Sequence, residues 1–175
     1  MTAMKVDVRE GRETRGIKKW IFALFAVAVA VPAFADRLPV PAGAPKSFAT
    51  ECGSCHMAFP PALLSWSDWK RVMGSLDRHY GADASLDAKT AAEIGDFLAG
   101  NAGSGMKSLG SGNPPRITAA WWFKRDHDEV PGRLWNDTRV KSASNCAACH
   151  RQAESGRFSE HDLVLPELRE EEDRR

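Results

Sequence analysis

Two short stretches of the 175-residue chain carry residue types that can bind a metal or a cofactor. Each has two cysteines three positions apart and a histidine directly after them: Cys52, Cys55 and His56 in ECGSCH, and Cys146, Cys149 and His150 in NCAACH. Residues three and four apart share one face of a helical turn, so both thiols and the imidazole converge. C-x-x-C-H is the attachment signal for c-type haem, in which the thiols form thioethers and the histidine ligates iron. The sequence therefore predicts two covalently bound haem c groups.

Paired cysteines have three other interpretations. A Cys₄ zinc site usually separates its pairs by about 15–20 residues, whereas 90 residues lie between Cys55 and Cys146. A thioredoxin-like redox pair belongs in a βαβ setting, and no strand pattern flanks either motif. Two structural disulfides would suit an exported chain, but they give no reason for the histidine after each pair.

The second axial ligand of each iron separates an electron carrier from a catalyst or a gas binder. The residues outside the motif histidines that could supply it are His79, His127, His161, Met57, Met73 and Met106. His79 ends a helix predicted from Pro61 to Gly81, whose apolar stripe is Trp66, Trp69, Met73 and Leu76. The charged residues Asp68, Lys70, Arg71, Asp77 and Arg78 are predicted to face away from that stripe. His79 continues the stripe inward and is a predicted iron ligand, while Met73 is more typical of core filling.

The second helix with an inward histidine is predicted between Thr118, a fair N-cap, and Pro131, which stops it. Its stripe is Ala120, Phe123, His127 and Val130. His127 is the one polar residue on this apolar face, and iron ligation is the simplest reason for it. His161, among acidic and hydroxyl neighbours in FSEHDLVLP, is predicted to be a surface residue.

The order of these residues along the chain is motif–ligand and then ligand–motif. His79 comes 23 residues after His56, and His127 comes 23 residues before His150. Pairing His56 with His79 and His127 with His150 needs only local chain closure, but a crossed arrangement stays open at this point.

The N-terminus is predicted to be a secretory signal. Trp20 to Val31 is uncharged and apolar, Lys18 and Lys19 precede it, and Ala33-Phe34-Ala35 resembles a cleavage site. The alternative is a transmembrane anchor, but a spanning helix needs about 20 apolar residues. We therefore expect cleavage after about Ala35 and a periplasmic location.

The charge of the mature chain argues against a nucleic-acid partner, which usually needs a basic face. Six of the 24 basic and three of the 23 acidic residues lie in 1–35, so the mature chain keeps 18 and 20, a net of −2. Four haem propionates would add to this negative charge and favour a basic partner.

The fold class expected is mainly α with extensive loops, wrapped around two haems. The haem domain is predicted to span 36–165, with halves at about 46–103 and 113–165 joined by the Gly/Ser/Pro linker GSGMKSLGSGNPPR, and 166–175 is a charged tail. A further helix is expected to begin at the N-cap Ser85 and to end at Gly100 or Gly103, with Thr90, Ile94, Phe97 and Leu98 as its inward stripe. Another is expected from about Ser144 to Glu154, with Gly156 as the C-cap, and FSEHDLVLPE is expected to be extended.

Four blocks in this order resemble the bacterial diheme cytochrome c family: ECGSCHMAFPPALL, W..VMGSLDRHYGADASLD, RITAAWWFKRDH and SNCAACHRQAESGRFSE. The resemblance covers most of the mature chain. It implies a small electron carrier with two covalent haems, each held by two histidines. It also implies that His56 and His150 are the ligands from the motifs and that His79 and His127 are the distal ligands. Members of this family often pair with a membrane b-type cytochrome or with a small c-type haem protein that binds oxygen.

The function expected is electron transfer between redox partners through two six-coordinate haems, without a catalytic residue. The alternative is a small haem enzyme or ligand-binding module with one open iron that acts on peroxide, nitrogen oxides or oxygen. No further acid–base constellation is visible beside either motif. A sensor would be expected to carry a signalling domain, and the sequence shows none.

Overall fold

The structure is a computed structural model that describes residues 37–165, so the predicted signal sequence and the charged tail lie outside the described residues. Five α-helices occur in this range: α1 Lys46–Cys52, α2 Trp66–Met73, α3 Ala88–Asn101, α4 Trp121–Asp126 and α5 Gly132–Trp135. Single 3₁₀ turns and loops connect them, and the described residues contain isolated β-bridges but no sheet. The predicted fold class, mainly α with extensive loops, is confirmed.

The hydrophobic core lies where α1, α2 and α3 meet. Its buried residues are Phe48, Leu64, Trp69, Val72, Ile94 and Leu98. Ile94 and Leu98 are four apart and lie on one face of α3, as the apolar stripe of this helix predicts. Asp87 caps α3 by accepting hydrogen bonds from the N–H groups of Lys89 and Thr90, so the cap is Asp87 and not Ser85. None of the helices among residues 37–165 is both long enough and apolar enough to span a membrane.

The single helix predicted from Pro61 to Gly81 is wrong, because the chain breaks into three pieces there. A 3₁₀ turn at Pro61–Leu63 is followed by extended backbone at Leu64, then by α2, and then by a second 3₁₀ turn at Leu76–Arg78. The Ser65 hydroxyl accepts from the Asp68 N–H and restarts the helix. His79 therefore lies on a turn, and Ala82 N–H donates to its carbonyl.

Asp68 does not face solvent as the helical wheel predicted, since it is only 3% exposed. Its carboxylate accepts hydrogen bonds from Arg71 Nη2 at 2.5 Å and from Gly110 N–H at 2.8 Å. Burial alone would raise the pKa of Asp68, but these bonds and one from Ser65 outweigh it and lower the pKa below its ordinary value. Asp68 thus ties α2 to the linker 42 residues away.

The second half is also less helical than its pattern predicts. The helix expected over Thr118–Val130 is α4 alone, and Thr118 lies in a 3₁₀ turn without serving as a cap. The helix expected from Ser144 to Glu154 is two separate 3₁₀ turns, Cys146–Ala148 and Ala153–Ser155. Gly156 does end the second turn in the left-handed conformation, with φ +69°. The stretch expected to be extended contains a 3₁₀ turn at Glu160–Asp162.

The segment before α1, residues 37–45, is called the lead-in, and it pairs with the end of the second half near Gly156. Leu38 N–H donates to the Gly156 carbonyl at 2.7 Å, and Arg37 forms an antiparallel bridge with Arg157. A Cβ atom at Gly156 would collide with the backbone of Leu38. Glycine is therefore needed at this position both for its φ and for the close approach of the two chain segments.

Candidate haem sites

The first site forms where α1 ends. Cys52 is the last residue of α1, Cys55 and His56 follow in the next turn, and the His56 ring centre is 6.2 Å from that of His79. The planes of the two imidazoles differ by 29°. Phe59 lies beside His56 with its ring centre at 4.7 Å. The C-x-x-C-H turn after α1 and the turn at His79, which follows α2, therefore bring the motif and a second imidazole to the same region.

The second site is built by the end of α4 and the C-x-x-C-H turn. His150 N–H donates to the Cys146 carbonyl at 2.8 Å, which closes the turn that carries the motif. The His127 ring centre is 6.1 Å from that of His150, and the planes of these imidazoles differ by 75°. His127 also stacks on Phe123, with ring centres 4.1 Å apart.

The separation of the imidazoles in both pairs fits one metal ion shared between them. A metal–imidazole bond is about 2.0–2.1 Å and the nitrogen lies about 1.1 Å from the ring centre, so two rings on opposite sides are about 6.3 Å apart. The structure brings His56 to His79 and His127 to His150, which is the local pairing rather than the crossed one. His161 is exposed, as predicted for a surface residue.

Hydrogen bonds fix the tautomer of one imidazole in each pair. His56 Nδ1 donates to the Met57 carbonyl at 2.7 Å, and His127 Nδ1 donates to the Phe123 carbonyl at 2.8 Å. A proton held on Nδ1 leaves the Nε2 lone pair to ligate a metal. Among the residues described, the buried Nδ1 of His150 and the buried Nε1 of Trp122 have no hydrogen-bond partner.

Burial favours the neutral form of one imidazole in each pair, that of His79 and that of His150. Burial lowers the pKa of His79, and the nearby His56 and Arg116 lower it further. Burial and then His127 lower the pKa of His150 in the same way. Neutral imidazole is the form that binds a metal.

The first cysteine of each motif is partly buried. Burial raises the pKa of the Cys52 thiol to about 11, with a smaller contribution from the charge of Glu51. Burial likewise raises the pKa of Cys146 to about 11. Within residues 37–165, which hold all four cysteines, no disulfide is formed.

An open pocket of about 270 Å³ lies beside His127. The residues that line it are Thr118, Phe123, Lys124, His127, Trp135 and Ala143. Aromatic rings and a ligand-type nitrogen facing one space suit an aromatic macrocycle with a central metal. The residues present therefore fit a haem at this site.

Sequence reasoning missed the groups that hold the histidines in place. The Met57 and Phe123 acceptors are backbone carbonyls, so no residue type signals them. Tyr80, whose ring centre is 4.7 Å from that of His79, was not singled out either. Its position next to a glycine in the sequence Tyr80-Gly81 is the only signal of a turn at this point.

Comparison with known proteins gives one family. The family described as Dihaem cytochrome c matches residues 48–158. Among solved structures, the diheme cytochrome type c from Shewanella baltica OS155 is 37% identical in sequence and has a TM-score of 0.61. The match covers 69% of this chain and 91% of the Shewanella chain. Among curated proteins, no relative matches the chain.

Two structures of diheme cytochrome c from Rhodobacter sphaeroides are similar as well. One is 43% identical over 68% of this chain and 99% of its own, with a TM-score of 0.58. The other is 41% identical, with a TM-score of 0.60, and the match covers 69% of this chain and 99% of the Rhodobacter chain. A match over most of the described residues and a donor set that suits two haem c groups lead to one conclusion: the chain belongs to the dihaem cytochrome c family, whose members are c-type cytochromes with two covalently attached haems.

Proposed function

We propose that this protein transfers electrons between redox partners in the periplasm, through two haems that each have two histidine ligands. The observation that carries the proposal is the paired imidazoles, with ring centres 6.2 Å and 6.1 Å apart in the two halves. If both axial positions of each iron are filled, no position is left for a substrate. Each iron can then change its oxidation state but cannot bind a substrate.

In this proposal the cysteines attach the haems covalently and the histidines ligate the irons. Haem c supplies a redox-active iron when bound. The thiols of Cys52 and Cys55 hold one group, and those of Cys146 and Cys149 hold the other. His56 and His150 are the proximal ligands, and His79 and His127 are the distal ligands. The Met57 and Phe123 carbonyls keep two of these imidazoles in the ligating tautomer and orientation.

Histidine on both sides of the iron favours a low reduction potential. The methionine ligand that raises the potential in other c-type cytochromes is not part of the proposed ligand set. Hydrogen bonds from imidazole Nδ1–H to carbonyls would make His56 and His127 stronger electron donors to a bound iron and favour its oxidised form further. We therefore expect both haems to accept electrons only from strong reductants.

Export supports the proposed periplasmic location, and the net charge supports the proposed kind of partner. The predicted signal at 1–35 and covalent haem attachment, which takes place outside the bacterial cytoplasm, support the location. A mature net charge of −2, made more negative by propionates, favours a basic redox partner and a small transient contact. A membrane b-type cytochrome or a small c-type haem protein is the partner proposed.

Carbon monoxide tests the ligand set, because it binds reduced haem iron that has an open or weakly held position. We expect the dithionite-reduced protein not to bind it, and His79→Ala and His127→Ala each to bind one equivalent. His161→Ala is the matched control, since that histidine is exposed and should leave the spectrum unchanged. Rapid binding by the unaltered protein, or an alanine variant that stays fully low-spin, would contradict the proposal.

A further inference from the structure

Tyr80, the residue after His79, has an unusual backbone. Its φ is +51°, in the left-handed region that residues other than glycine rarely adopt. The turn is closed by the bond from Ala82 N–H to the His79 carbonyl at 3.0 Å. Such a conformation persists only where the surroundings fix it, and it often marks a functional site.

Two groups from the linker hold the Tyr80 side chain. Its hydroxyl donates to the Pro115 carbonyl at 2.5 Å, across 35 residues of sequence. The guanidinium of Arg116 lies over the ring, 4.1 Å from its centre. The Tyr80 ring also meets the His79 imidazole edge to face, with ring centres 4.7 Å apart. Tyr80 therefore connects His79 to the linker between the two halves.

Arg116 is itself fixed by its backbone. Arg116 N–H donates to the Ser111 carbonyl at 2.8 Å, and Ser111 N–H donates back at 3.4 Å. The two ring contacts keep the guanidinium within about 9 Å of the His79 imidazole, which is less than one Debye length of ~10 Å at 0.1 M salt. A fixed positive charge at this range acts on the first haem site even though solvent reaches the arginine.

We propose that Tyr80 and Arg116 are positioning residues of the first haem site: Tyr80 fixes the orientation of His79, and Arg116 raises the reduction potential of that haem. The inference rests on the proposed role of His79 as distal ligand. Reduction adds one electron, supplied in the test by the chemical reductant, and lowers the charge of the iron centre by one. A nearby cation therefore favours the reduced form.

A redox titration of the mature haem-loaded protein tests the charge. Arg116→Gln should lower the equilibrium constant for reducing one haem by about threefold or more and leave the other unchanged. Arg116→Lys keeps the charge and should restore most of the loss. Arg78→Gln is the matched control, because Arg78 is adjacent to His79 but its side chain is 78% exposed and pairs with Asp77. An Arg116→Gln protein with unchanged potentials, or an equal shift in Arg78→Gln, would overturn the inference.

Tyr80→Phe tests the positioning, since it keeps the ring and removes only the bond to Pro115. We expect one of the two ferric low-spin EPR signals to move, with the haem content and far-UV circular dichroism unchanged. EPR signals identical to those of the unaltered protein would refute the role of Tyr80. If His79→Ala creates no iron that binds carbon monoxide, the assignment of His79 as distal ligand fails. If it creates one such iron, but Arg116→Gln and Tyr80→Phe change nothing, only the roles inferred for Tyr80 and Arg116 fail.

Discussion

Replacing Asp68 with alanine should destabilise the folded protein by about 2–3 kcal/mol. Asp68 is 3% exposed and is the acceptor for Gly110 N–H at 2.8 Å and for Arg71 at 2.5 Å. A hydrogen bond to a charged group contributes about 1.5–3 kcal/mol, and alanine leaves the Gly110 donor without this partner. The Arg71 side chain is 46% exposed, so its ion pair adds less than about 1 kcal/mol.

The measurement is guanidinium unfolding of the mature haem-loaded protein, followed by tryptophan fluorescence and by circular dichroism. Asp77→Ala is the control, because Asp77 also pairs with a neighbouring arginine, at 3.4 Å, but its side chain is 56% exposed. That variant should change the free energy of unfolding by less than about 0.5 kcal/mol. If the two alanine variants lose the same stability, Asp68 does not tie α2 to the linker in the way the hydrogen bonds indicate.

The lowered pKa of Asp68 adds a pH dependence with a definite sign. The folded state holds the carboxylate ionised more strongly than the unfolded chain does, so this stabilisation is complete above the unfolded pKa of about 3.9. It is lost as the pH falls through the lower pKa of the folded state. Asp68→Asn, which keeps an oxygen acceptor for Gly110, should therefore differ from the unaltered protein at pH 7 and approach it well below pH 4. A stability difference that stays constant down to pH 2 would contradict the ionic account.

Three further predictions concern the haem sites, the lead-in and the core. The ferric protein should give two distinct low-spin EPR signals, since the imidazole planes differ by 29° in one pair and by 75° in the other; a single signal from two equivalent haems would contradict this. Gly156→Ala should lower the free energy of unfolding by more than Gly43→Ala does. Both glycines have positive φ, but only a Cβ at Gly156 meets the Leu38 backbone. Chemical denaturation of both variants checks it, and equal losses would mean that the lead-in contact contributes nothing. Ile94→Ala should cost about 2–5 kcal/mol in the same assay because Ile94 is fully buried, and a loss below about 1 kcal/mol would mean that the core refills the cavity.

Apolar periodicity predicted helix α3 correctly but failed for the helix expected from Pro61. Helix α3 follows its pattern because its 14 residues contain neither a proline nor an internal cap, and its buried Ile94 and Leu98 are the predicted ones. The helix expected from Pro61 does not, because Ser65 caps a new start and Asp68 finds a partner in Gly110. Periodicity alone cannot reveal a partner 42 residues away.

The two distal histidines were predicted from their places on apolar stripes, but the groups that surround them were not predicted. Both haem motifs are local spacings that the sequence displays directly. The groups that orient His56, His79 and His127 are carbonyls and a tyrosine brought close by the turns of the chain. Since a carbonyl is common to every residue, only the path of the backbone decides which one a histidine meets.

The early end of α4 illustrates why the observed chain serves the site better than the predicted helix would. In a helix continued to Val130, His127 N–H would donate to the Phe123 carbonyl, four residues before it. Instead α4 ends at Asp126, and the last carbonyls of a helix lack internal donors. The His127 imidazole donates to the Phe123 carbonyl in place of the backbone N–H, at 2.8 Å. The His127 N–H donates to the Arg125 carbonyl instead, so the helix end leaves the Phe123 carbonyl as the acceptor that holds the imidazole.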